Sequence, residues 1–303
     1  MKVVLAGGTG FIGRKLMEAC ASAGHELVIL TRDPSRVNTA AWPGVRAVQW
    51  DAVRIADWIS EIDGAEAVIN LAGESIGVKR WRYWQKYAIM FSRVDATRAL
   101  VYAIQHAKKK PSLLVNGSAV GYYGNVESGD VTESDKKGEG FLANVCEKWE
   151  ETAFGAEKLG VRVVALRIGV VIGKHGGALQ RMILPFKLHV GGWLGSGRQW
   201  FPWIHIEDLV SIVMFALENT SLVGPVNTTA PEAVTMKQFS EGIGKAMHRA
   251  AWAPVPGFVL KLVLGEMSSM LLTGQRVVPS KLTLSGYSFR FPTLDSALAD
   301  IFS

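Results

Sequence analysis

The feature that most constrains the fold of this 303-residue chain is the stretch "LAGGTGFIG" at positions 5–13. It follows an apolar run and precedes a helical pattern, which is the setting in which a glycine-rich turn binds the pyrophosphate of a dinucleotide. Gly7 would allow the tight turn, Gly10 would let the pyrophosphate approach the backbone, and Gly13 would let the helix pack closely on the strand. The N–H groups at the start of the helix would then face the anion. The other cofactor contacts predicted from this turn are Thr9, Phe11 and Ile12.

Short apolar runs alternate with helical patterns over the first half of the chain. The runs are "KVVLAG", "ELVILT", "VRAVQW", "AEAVINLAG", "SLLVNGSA" and "VRVVALRIG". Nearly continuous apolar strands of this kind are typical of a parallel sheet covered on both faces, and right-handed crossovers then give a doubly wound α/β fold. We therefore expect an NAD(P)-binding Rossmann fold in residues 1–228 and a smaller C-terminal α/β domain on the substrate side in residues 229–303. The Gly- and Trp-rich segment 174–203 is expected to line the substrate cleft.

The end of the second strand indicates which cofactor binds. An NAD enzyme usually has an Asp or Glu there that bonds the ribose 2′-hydroxyl, whereas this chain has "LTRDPSR". Arg32 can bond a 2′-phosphate through its forked guanidinium, with Thr31 as a further donor and Arg36 as a second cation. Asp33 is the counter-argument, because it could be the ribose acid displaced by one residue. The pattern favours NADP over NAD, and the plainer alternative for Arg32 is a surface turn residue.

Two further strand ends are expected to contact the cofactor. Asp51 ends the third strand, where it could reach the adenine amino group or could simply cap the following turn. The stretch "NLAG" at 70–73 ends the fourth strand, and its small residues would let the nicotinamide ribose lie close to the backbone. The residues predicted at this strand end are Leu71, Ala72, Gly73 and Glu74.

Charge and composition argue against several other classes of protein. The net charge of +6 is modest, and part of it lies in "KRWRYWQK" at 79–86. Basic residues among aromatic ones are typical of nucleic-acid binding, but the favoured interpretation is a solvated helix face with Trp81 and Trp84 packed inward. The two cysteines have no metal-ligand spacing, so no metal site is predicted. No apolar run reaches the ~20 residues of a membrane span, and we expect a cytoplasmic protein with a small-molecule substrate or none.

Several motifs occur in the order found in the extended short-chain dehydrogenase/reductase superfamily, which the chain resembles. They are "GGTGFIG", "NLAG" and "GSAVGYYG". Longer stretches, among them "LRIGVVIGKHGGAL", are similar to one branch, the atypical epimerase-like proteins labelled nucleoside-diphosphate-sugar epimerases, which are of the NAD-dependent epimerase/dehydratase type with a C-terminal domain of unknown function. The resemblance implies an NADP-type cofactor but little about the substrate. It also suggests a homodimer formed through the long helices, here 84–107 and 140–159.

In that superfamily, a serine after the fifth strand and a tyrosine and lysine four residues apart on the next long helix carry out proton transfer. Ser118 fits the serine, although a small residue at a strand end would look the same. Phe141 and Val145, in "FLANVCEKWE", occupy the positions of the tyrosine and lysine, and neither side chain can transfer a proton. Arg93 stands where extended members usually have Asn.

Three interpretations remain open. In the first, the protein is an NADP-dependent oxidoreductase or epimerase that uses a different acid, with Tyr122 and Tyr123 as the best candidates and His205 as a further one. Its substrate would be a sugar nucleotide or another polar carbonyl or alcohol, with Arg93 and Trp203 on the substrate side. In the second, it is a catalytically silent NADP-binding regulator or redox sensor. In the third and least favoured, the basic helix binds nucleic acid.

Overall fold

The computed structural model describes all residues from 1 to 303. Its strands are β1 (Lys2–Ala6), β2 (Glu26–Thr31), β3 (Val45–Gln49), β4 (Ala67–Asn70), β5 (Leu113–Ala119), β6 (Asp130–Val131), β7 (Arg162–Ile168), β8 (Val170–Gly173), β9 (Gly176–Gly177), β10 (Trp200–Phe201), β11 (Trp203–His205), β12 (Gly224–Thr228), β13 (Val234–Thr235) and β14 (Arg276–Val277). Its α-helices are α1 (Phe11–Ser22), α2 (Tyr83–His106), α3 (Phe141–Phe154), α4 (Leu179–Lys187), α5 (Ile206–Glu218), α6 (Met236–Ala246), α7 (Gly257–Leu264), α8 (Ser269–Leu272), α9 (Ser280–Leu284) and α10 (Leu294–Phe302). None of the helices combines the length and the apolar character that a bilayer span requires.

Seven strands form one parallel sheet in the order β12-β7-β5-β4-β1-β2-β3. The order reverses between β1 and β4, because the chain builds one half of the sheet on each side of β1. In open sheets of this kind, ligands bind outside the carboxyl ends of the strands at the point of reversal. The predicted doubly wound Rossmann fold is therefore confirmed, and its topology locates the crevice for a ligand.

The inner strands of this sheet are buried on both faces, which explains their apolar sequences, whereas the edge strand β3 is only partly buried. Successive side chains of a strand point to opposite faces. In β1, Val3 and Leu5 pack in the core that includes α1 and α5, while Val4 and Ala6 pack in the core that includes α2. An alternating polar pattern is absent from the inner strands because neither of their faces meets solvent.

A third core lies in the C-terminal lobe, and two separate stretches of sequence build it. Its large side chains include Phe186, Trp203, Phe239, Phe291 and Ile301. Residues 172–203 share this core with residues 230–301, because β10 pairs with β13 and brings the two stretches together. Segment 174–203, which is predicted to line the substrate cleft, therefore also packs with the C-terminal lobe. The boundary between 228 and 229 stays a prediction.

The basic, aromatic stretch lies at the start of α2, and the prediction for it is correct only in part. Trp81, just before the helix, is 8% exposed and packs inward as expected. Trp84 is 75% exposed, because it lies on the outer face of the helix beside Tyr87. The expectation that Trp84 packs inward is therefore wrong.

Candidate functional site

The glycine-rich turn lies at the carboxyl end of β1 and opens α1. Gly7 has a φ of +86°, and a Cβ there would lie 2.7 Å from the carbonyl carbon of Leu71. A Cβ on Gly13 would lie 2.2 Å from the carbonyl oxygen of Gly7. A Cβ on Gly10 would meet only that oxygen, at an ordinary 3.5 Å. Packing within the protein therefore explains Gly7 and Gly13, whereas Gly10 borders open space that suits the close approach of an anion.

The first turn of α1 has free backbone donors. No side chain caps this helix, whose N-cap residue is a glycine, so N–H groups of its first turn are available to an external acceptor. The ring of Phe11 is enclosed by the β8–β9 hairpin, where Cβ atoms on Gly176 and Gly177 would lie 2.4 and 3.1 Å from it. Phe11 and Ile12 pack against the main core and can offer a ligand only their backbone. Thr9 is half-buried in the turn itself.

At the end of β2, Asp33 and Arg32 are the two charged candidates for contact with the adenosine ribose, and their surroundings differ. The carboxylate of Asp33 accepts hydrogen bonds from the backbone N–H (3.1 Å) and the hydroxyl (2.6 Å) of Ser35, and it lies 3.4 Å from Nε of Arg36. The hydrogen bonds from Ser35 lower the pKa of Asp33. Thr31 is buried, and its hydroxyl bonds to the backbone of Asp33. The guanidinium of Arg32 is exposed and has no partner, so it is the free cation at this strand end.

Asp51 follows β3 and caps the turn after it. Its Oδ1 accepts the backbone N–H groups of Arg54 (2.8 Å) and Val53 (3.0 Å). These hydrogen bonds lower the pKa of Asp51, the bond from Arg54 most. The carboxylate is exposed and thus already has a structural role, while its predicted contact with adenine stays a prediction.

The "NLAG" segment after β4 is held by a buried amide. Oδ1 of Asn70 accepts the N–H of Ala72 at 3.1 Å, and its Nδ2 donates to Asn116 (2.7 Å) and to Thr97 (2.9 Å). All three side chains are fully buried. The network fixes the backbone of Ala72 and leaves Gly73, the next residue, exposed at the crevice.

A network of buried charges lies at the carboxyl ends of β5, β7 and β12. The hydroxyl of Ser118 donates to Oε1 of Glu150 at 2.6 Å. Arg167 binds the same carboxylate with two bonds of 2.9 and 2.8 Å and donates to Oη of Tyr123 at 2.9 Å. That Oη in turn donates to Oδ1 of Asn227 at 2.6 Å. The hydroxyl proton of Ser118 is therefore used in a hydrogen bond within the protein, and the charge of Glu150 is balanced by Arg167.

Arg93 lies on α2 against the "NLAG" segment. Its Nη1 donates to the carbonyl oxygens of Glu74 and Ile89, both at 2.9 Å. The guanidinium lies over the indole ring of Trp149 at 5.1 Å, and a Cβ on Gly73 would lie 3.0 Å from its Cζ. No carboxylate oxygen lies within 4.0 Å of its nitrogens. Burial lowers the pKa of Arg93, so the site contains a partly buried cation without an ion-pair partner.

Comparison with known families identifies this arrangement. The model described as "NAD dependent epimerase/dehydratase family" matches residues 3–227, most of the chain. The protein belongs to the NAD-dependent epimerase/dehydratase family. A second model, "Domain of unknown function (DUF1731)", matches residues 255–301 of this epimerase-family protein.

Relatives extend over nearly the whole chain. The epimerase family protein YfhF of Bacillus subtilis is 40% identical over 302 residues, which are 99% of this chain and 98% of the relative. The chloroplastic epimerase family protein SDR39U1 homolog of Arabidopsis thaliana is 40% identical over 307 residues, with 99% and 86% covered. The crystal structure of human epimerase family protein SDR39U1 (isoform 2) with NADPH superposes with a TM-score of 0.89 at 36% identity, covering 100% of this chain and 99% of the human one.

Helix α3 of this epimerase-family protein provides no tyrosine and lysine pair. Phe141 packs edge-on against Trp81 at 5.2 Å, and Val145 is 2% exposed in the same cluster. Lys148 is exposed and pairs with an acidic neighbour on the helix at 2.8 Å. Cys146 is buried, and burial raises the pKa of its thiol to about 11. The positions expected for the tyrosine and lysine of the superfamily are therefore occupied by core residues that cannot transfer a proton.

The two candidate tyrosines differ in the freedom of their hydroxyls. Tyr123 is 2% exposed, its hydroxyl bonds to Asn227 and Arg167, and burial raises its pKa to about 12. Tyr122 is half-buried, its ring lies 3.5 Å from Cζ of Arg167, and its hydroxyl has no partner in the protein. Of the two, only Tyr122 has a hydroxyl that is free to bond a ligand.

His205 and Trp203 lie in packed interior positions. Nδ1 of His205 accepts the N–H of Glu207 at 3.3 Å and so caps α5. Burial lowers the pKa of His205 and favours its neutral form, although Nε2 lies 3.4 Å from the carboxylate of Asp300. Trp203 is 1% exposed, and its indole N–H donates to the carbonyl oxygen of Glu232 at 3.1 Å. Neither side chain reaches an open surface, which differs from the predicted catalytic and substrate-side positions.

Glu150 and Arg167 are site residues that were not predicted from the sequence. A signal was present for Arg167, which interrupts the apolar run "VRVVALRIG", because a charge in a buried strand needs a buried partner. The partner lies 17 residues earlier on α3. Among the acidic residues of that helix, only the packing of the helix on the sheet distinguishes Glu150 from its exposed neighbours.

Proposed function

We propose that this epimerase-family protein binds NADP(H) at the carboxyl ends of β1 and β4 and transfers hydride to or from a polar carbonyl or alcohol, such as a sugar nucleotide. The observation that carries the cofactor assignment is the free guanidinium of Arg32 beside Asp33, whose carboxylate is already bonded to Ser35. An acid committed in this way is a poor partner for a ribose hydroxyl, whereas a free guanidinium suits a 2′-phosphate. The human relative crystallised with NADPH supports the same assignment.

The residues of the crevice fit each part of this cofactor. The pyrophosphate would lie at the uncapped start of α1, next to the open space at Gly10. The 2′-phosphate would lie at Arg32, and the nicotinamide ribose at the exposed backbone of Gly73. When bound, the cofactor would supply the hydride, and the protein would supply orientation and a proton.

Tyr122 is the proposed proton donor. Its hydroxyl is free, whereas the hydroxyls of Ser118 and Tyr123 are bonded inside the protein. The stacking of its ring on Arg167 fixes the direction of the phenol. In the reducing direction, a carbonyl carbon of the substrate would receive the hydride and its oxygen would receive the Tyr122 proton, which solvent would then replace.

A catalytically silent NADP-binding regulator is the second candidate. The observation that favours it is the composition of α3, where Phe141 and Val145 pack as core residues and Lys148 faces solvent. A regulator would need only the cofactor site, and the contacts that shape the "NLAG" segment would be sufficient for it.

Titration with NADPH and NADH tests the cofactor part of the proposal. Arg32→Ala is expected to weaken NADPH binding about 10- to 100-fold, the worth of hydrogen bonds to a charged group, with little effect on NADH. Arg98→Ala is the matched control, because Arg98 is exposed and pairs with Asp95 on α2. An unchanged preference in Arg32→Ala would show that the 2′-phosphate lies elsewhere.

A turnover screen with NADPH separates the two candidate functions. The screen would offer carbonyl compounds and sugar nucleotides and follow NADPH absorbance and product formation. Tyr122→Phe is expected to abolish turnover while NADPH still binds, whereas Tyr102→Phe, on the exposed part of α2, is expected to leave turnover unchanged. Turnover that survives in Tyr122→Phe would refute the assignment of the proton donor, and NADPH binding without any turnover would favour the regulator.

A further inference from the structure

We propose that Arg93 is the binding site for a carboxylate group of the substrate. The inference rests on the proposed function, because it places the carboxylate beside the segment where the nicotinamide ribose would lie. Arg93 contacts that segment directly through Gly73 and the carbonyl oxygen of Glu74. The proposal thus narrows the substrate from a polar alcohol or carbonyl to one that carries an acid group near the reacting carbon.

One edge of the Arg93 guanidinium is free. Nη1 makes both hydrogen bonds to the protein, to Glu74 and Ile89, and neither Nε nor Nη2 has a partner. The fully enclosed side-chain nitrogens without partners are those of Trp50 and His205. The free donors of Arg93 are therefore not completely enclosed by the protein. Nε and Nη2 form the edge that grips a carboxylate with two parallel hydrogen bonds.

The guanidinium is held in place before any ligand binds. The indole of Trp149 supports one side of its plane, and the backbone of Gly73 approaches it closely. The two carbonyl bonds at Nη1 prevent rotation about the last bond of the side chain. Because the two free N–H donors are already oriented, they lose little conformational entropy when a ligand binds. Their fixed plane favours a planar ligand group such as a carboxylate.

No charged group around Arg93 forms an ion pair with it, although the carboxylate of Glu74 is close enough to oppose the effect of burial on the pKa of Arg93. The nearby carboxylate of Glu150 is bound by Arg167 through two hydrogen bonds. Cys146, which is close enough to interact with Arg93, is kept in its neutral thiol form by burial. A partly buried cation without a direct ion-pair partner is costly unless a ligand supplies one. A single negative charge balances it, which fits a carboxylate better than a phosphate dianion.

Ligand-observed NMR on the NADPH-loaded protein tests the inference without requiring turnover. The probes are matched pairs, glucuronate with glucose and lactate with lactamide, together with inorganic phosphate. Binding of the two acids is expected, with the neutral partners at least about tenfold weaker. Arg93→Gln and Arg93→Lys are each expected to weaken the acids about 10- to 100-fold. Lysine keeps the charge and can still bond the Glu74 carbonyl, but it lacks the free edge.

The control variant is Arg98→Gln, whose side chain lies on the exposed face of the same helix. It is expected to bind the acids as the wild type does. Equal binding of glucuronate to the wild type and to Arg93→Lys, binding of phosphate in place of the acids, or no binding of either acid would overturn the inference.

NADPH affinity is measured first for each protein. A wild type that does not bind NADPH would refute the proposed function, whereas a wild type that binds NADPH but no acid would refute only the carboxylate site. A loss of NADPH affinity in Arg93→Lys as large as the loss of acid affinity would identify Arg93 as a cofactor contact and overturn the inference.

Discussion

Replacing Glu150 by alanine would leave the guanidinium of Arg167 buried without its carboxylate. The side chains of Arg167 and Glu150 are only 4% and 6% exposed, and the carboxylate accepts two bonds from Arg167 and one from Ser118. Breaking a buried pair by removing one partner costs about 3–5 kcal/mol. For a chain of this size, that corresponds to a decrease in Tm of about 5–8 °C.

Urea unfolding and thermal melts measure this loss, with Lys148→Ala as the matched control. Lys148 and Glu151 form an ion pair on the same helix, but their side chains are 56% and 57% exposed. Loss of this exposed pair is therefore expected to leave the free energy of unfolding nearly unchanged. The double variant Glu150→Leu/Arg167→Met removes both charges and is expected to be more stable than Glu150→Ala. If Glu150→Ala loses no more stability than Lys148→Ala, the buried network does not hold the site together as described.

Three further outcomes follow from particular contacts. Gly10→Ala is expected to weaken NADPH binding about tenfold or more at nearly constant Tm, because the added Cβ fits the protein but enters the space for the anion. Gly13→Ala is expected to lower both the NADPH affinity and the Tm, because its Cβ would lie 2.2 Å from a carbonyl oxygen. Burial lowers the pKa of His205 from 6.5, so the unfolded chain binds a proton that the folded chain does not. Stability then decreases by up to about 1.4 kcal/mol per pH unit as the pH falls from about 6.5 to the folded pKa, and His205→Asn, which keeps a capping residue, is expected to remove that part of the slope in urea unfolding. Burial raises the pKa of Cys20 and of Cys146 to about 11, so a chromogenic disulfide reagent at pH 7.5 is expected to modify both in urea and neither in the folded protein.

A different result would contradict each of these three predictions. A Gly10→Ala variant that binds NADPH normally would place the pyrophosphate elsewhere. An unchanged pH slope in His205→Asn would mean that this imidazole titrates alike in the folded and unfolded chain. Rapid modification of one thiol in the folded protein would show that the thiol is accessible, which its burial does not allow.

Local sequence patterns were sufficient for the fold, and they predicted cofactor contacts that lie along one edge of the sheet. The apolar strands report burial on both faces, and the turn at 5–13 joins a strand to a helix within a few residues. Contacts within such a segment depend on residues close in the chain, so spacing predicts them. The contacts that favour Arg32 over Asp33 are visible only in the structure, because Ser35 bonds the carboxylate of Asp33 through its backbone N–H and its hydroxyl.

The side chains around the proposed reaction centre could not be predicted in the same way. Trp203 and His205 occur in a segment that looks like a ligand-binding loop, yet both are buried because the C-terminal lobe packs over them. Glu150 and Arg167 meet only when α3 packs on β7. Such positions depend on contacts between distant parts of the chain, which periodicity does not report.

A crystal structure with NADPH bound is the measurement that tests the account most directly. The account predicts the 2′-phosphate at the guanidinium of Arg32 and the pyrophosphate at the start of α1. It also predicts that Oη of Tyr122 lies within about 3.5 Å of the place a substrate oxygen would occupy beside the nicotinamide C4. A 2′-phosphate that lies away from Arg32, or a different protonatable side chain at the nicotinamide, would contradict it.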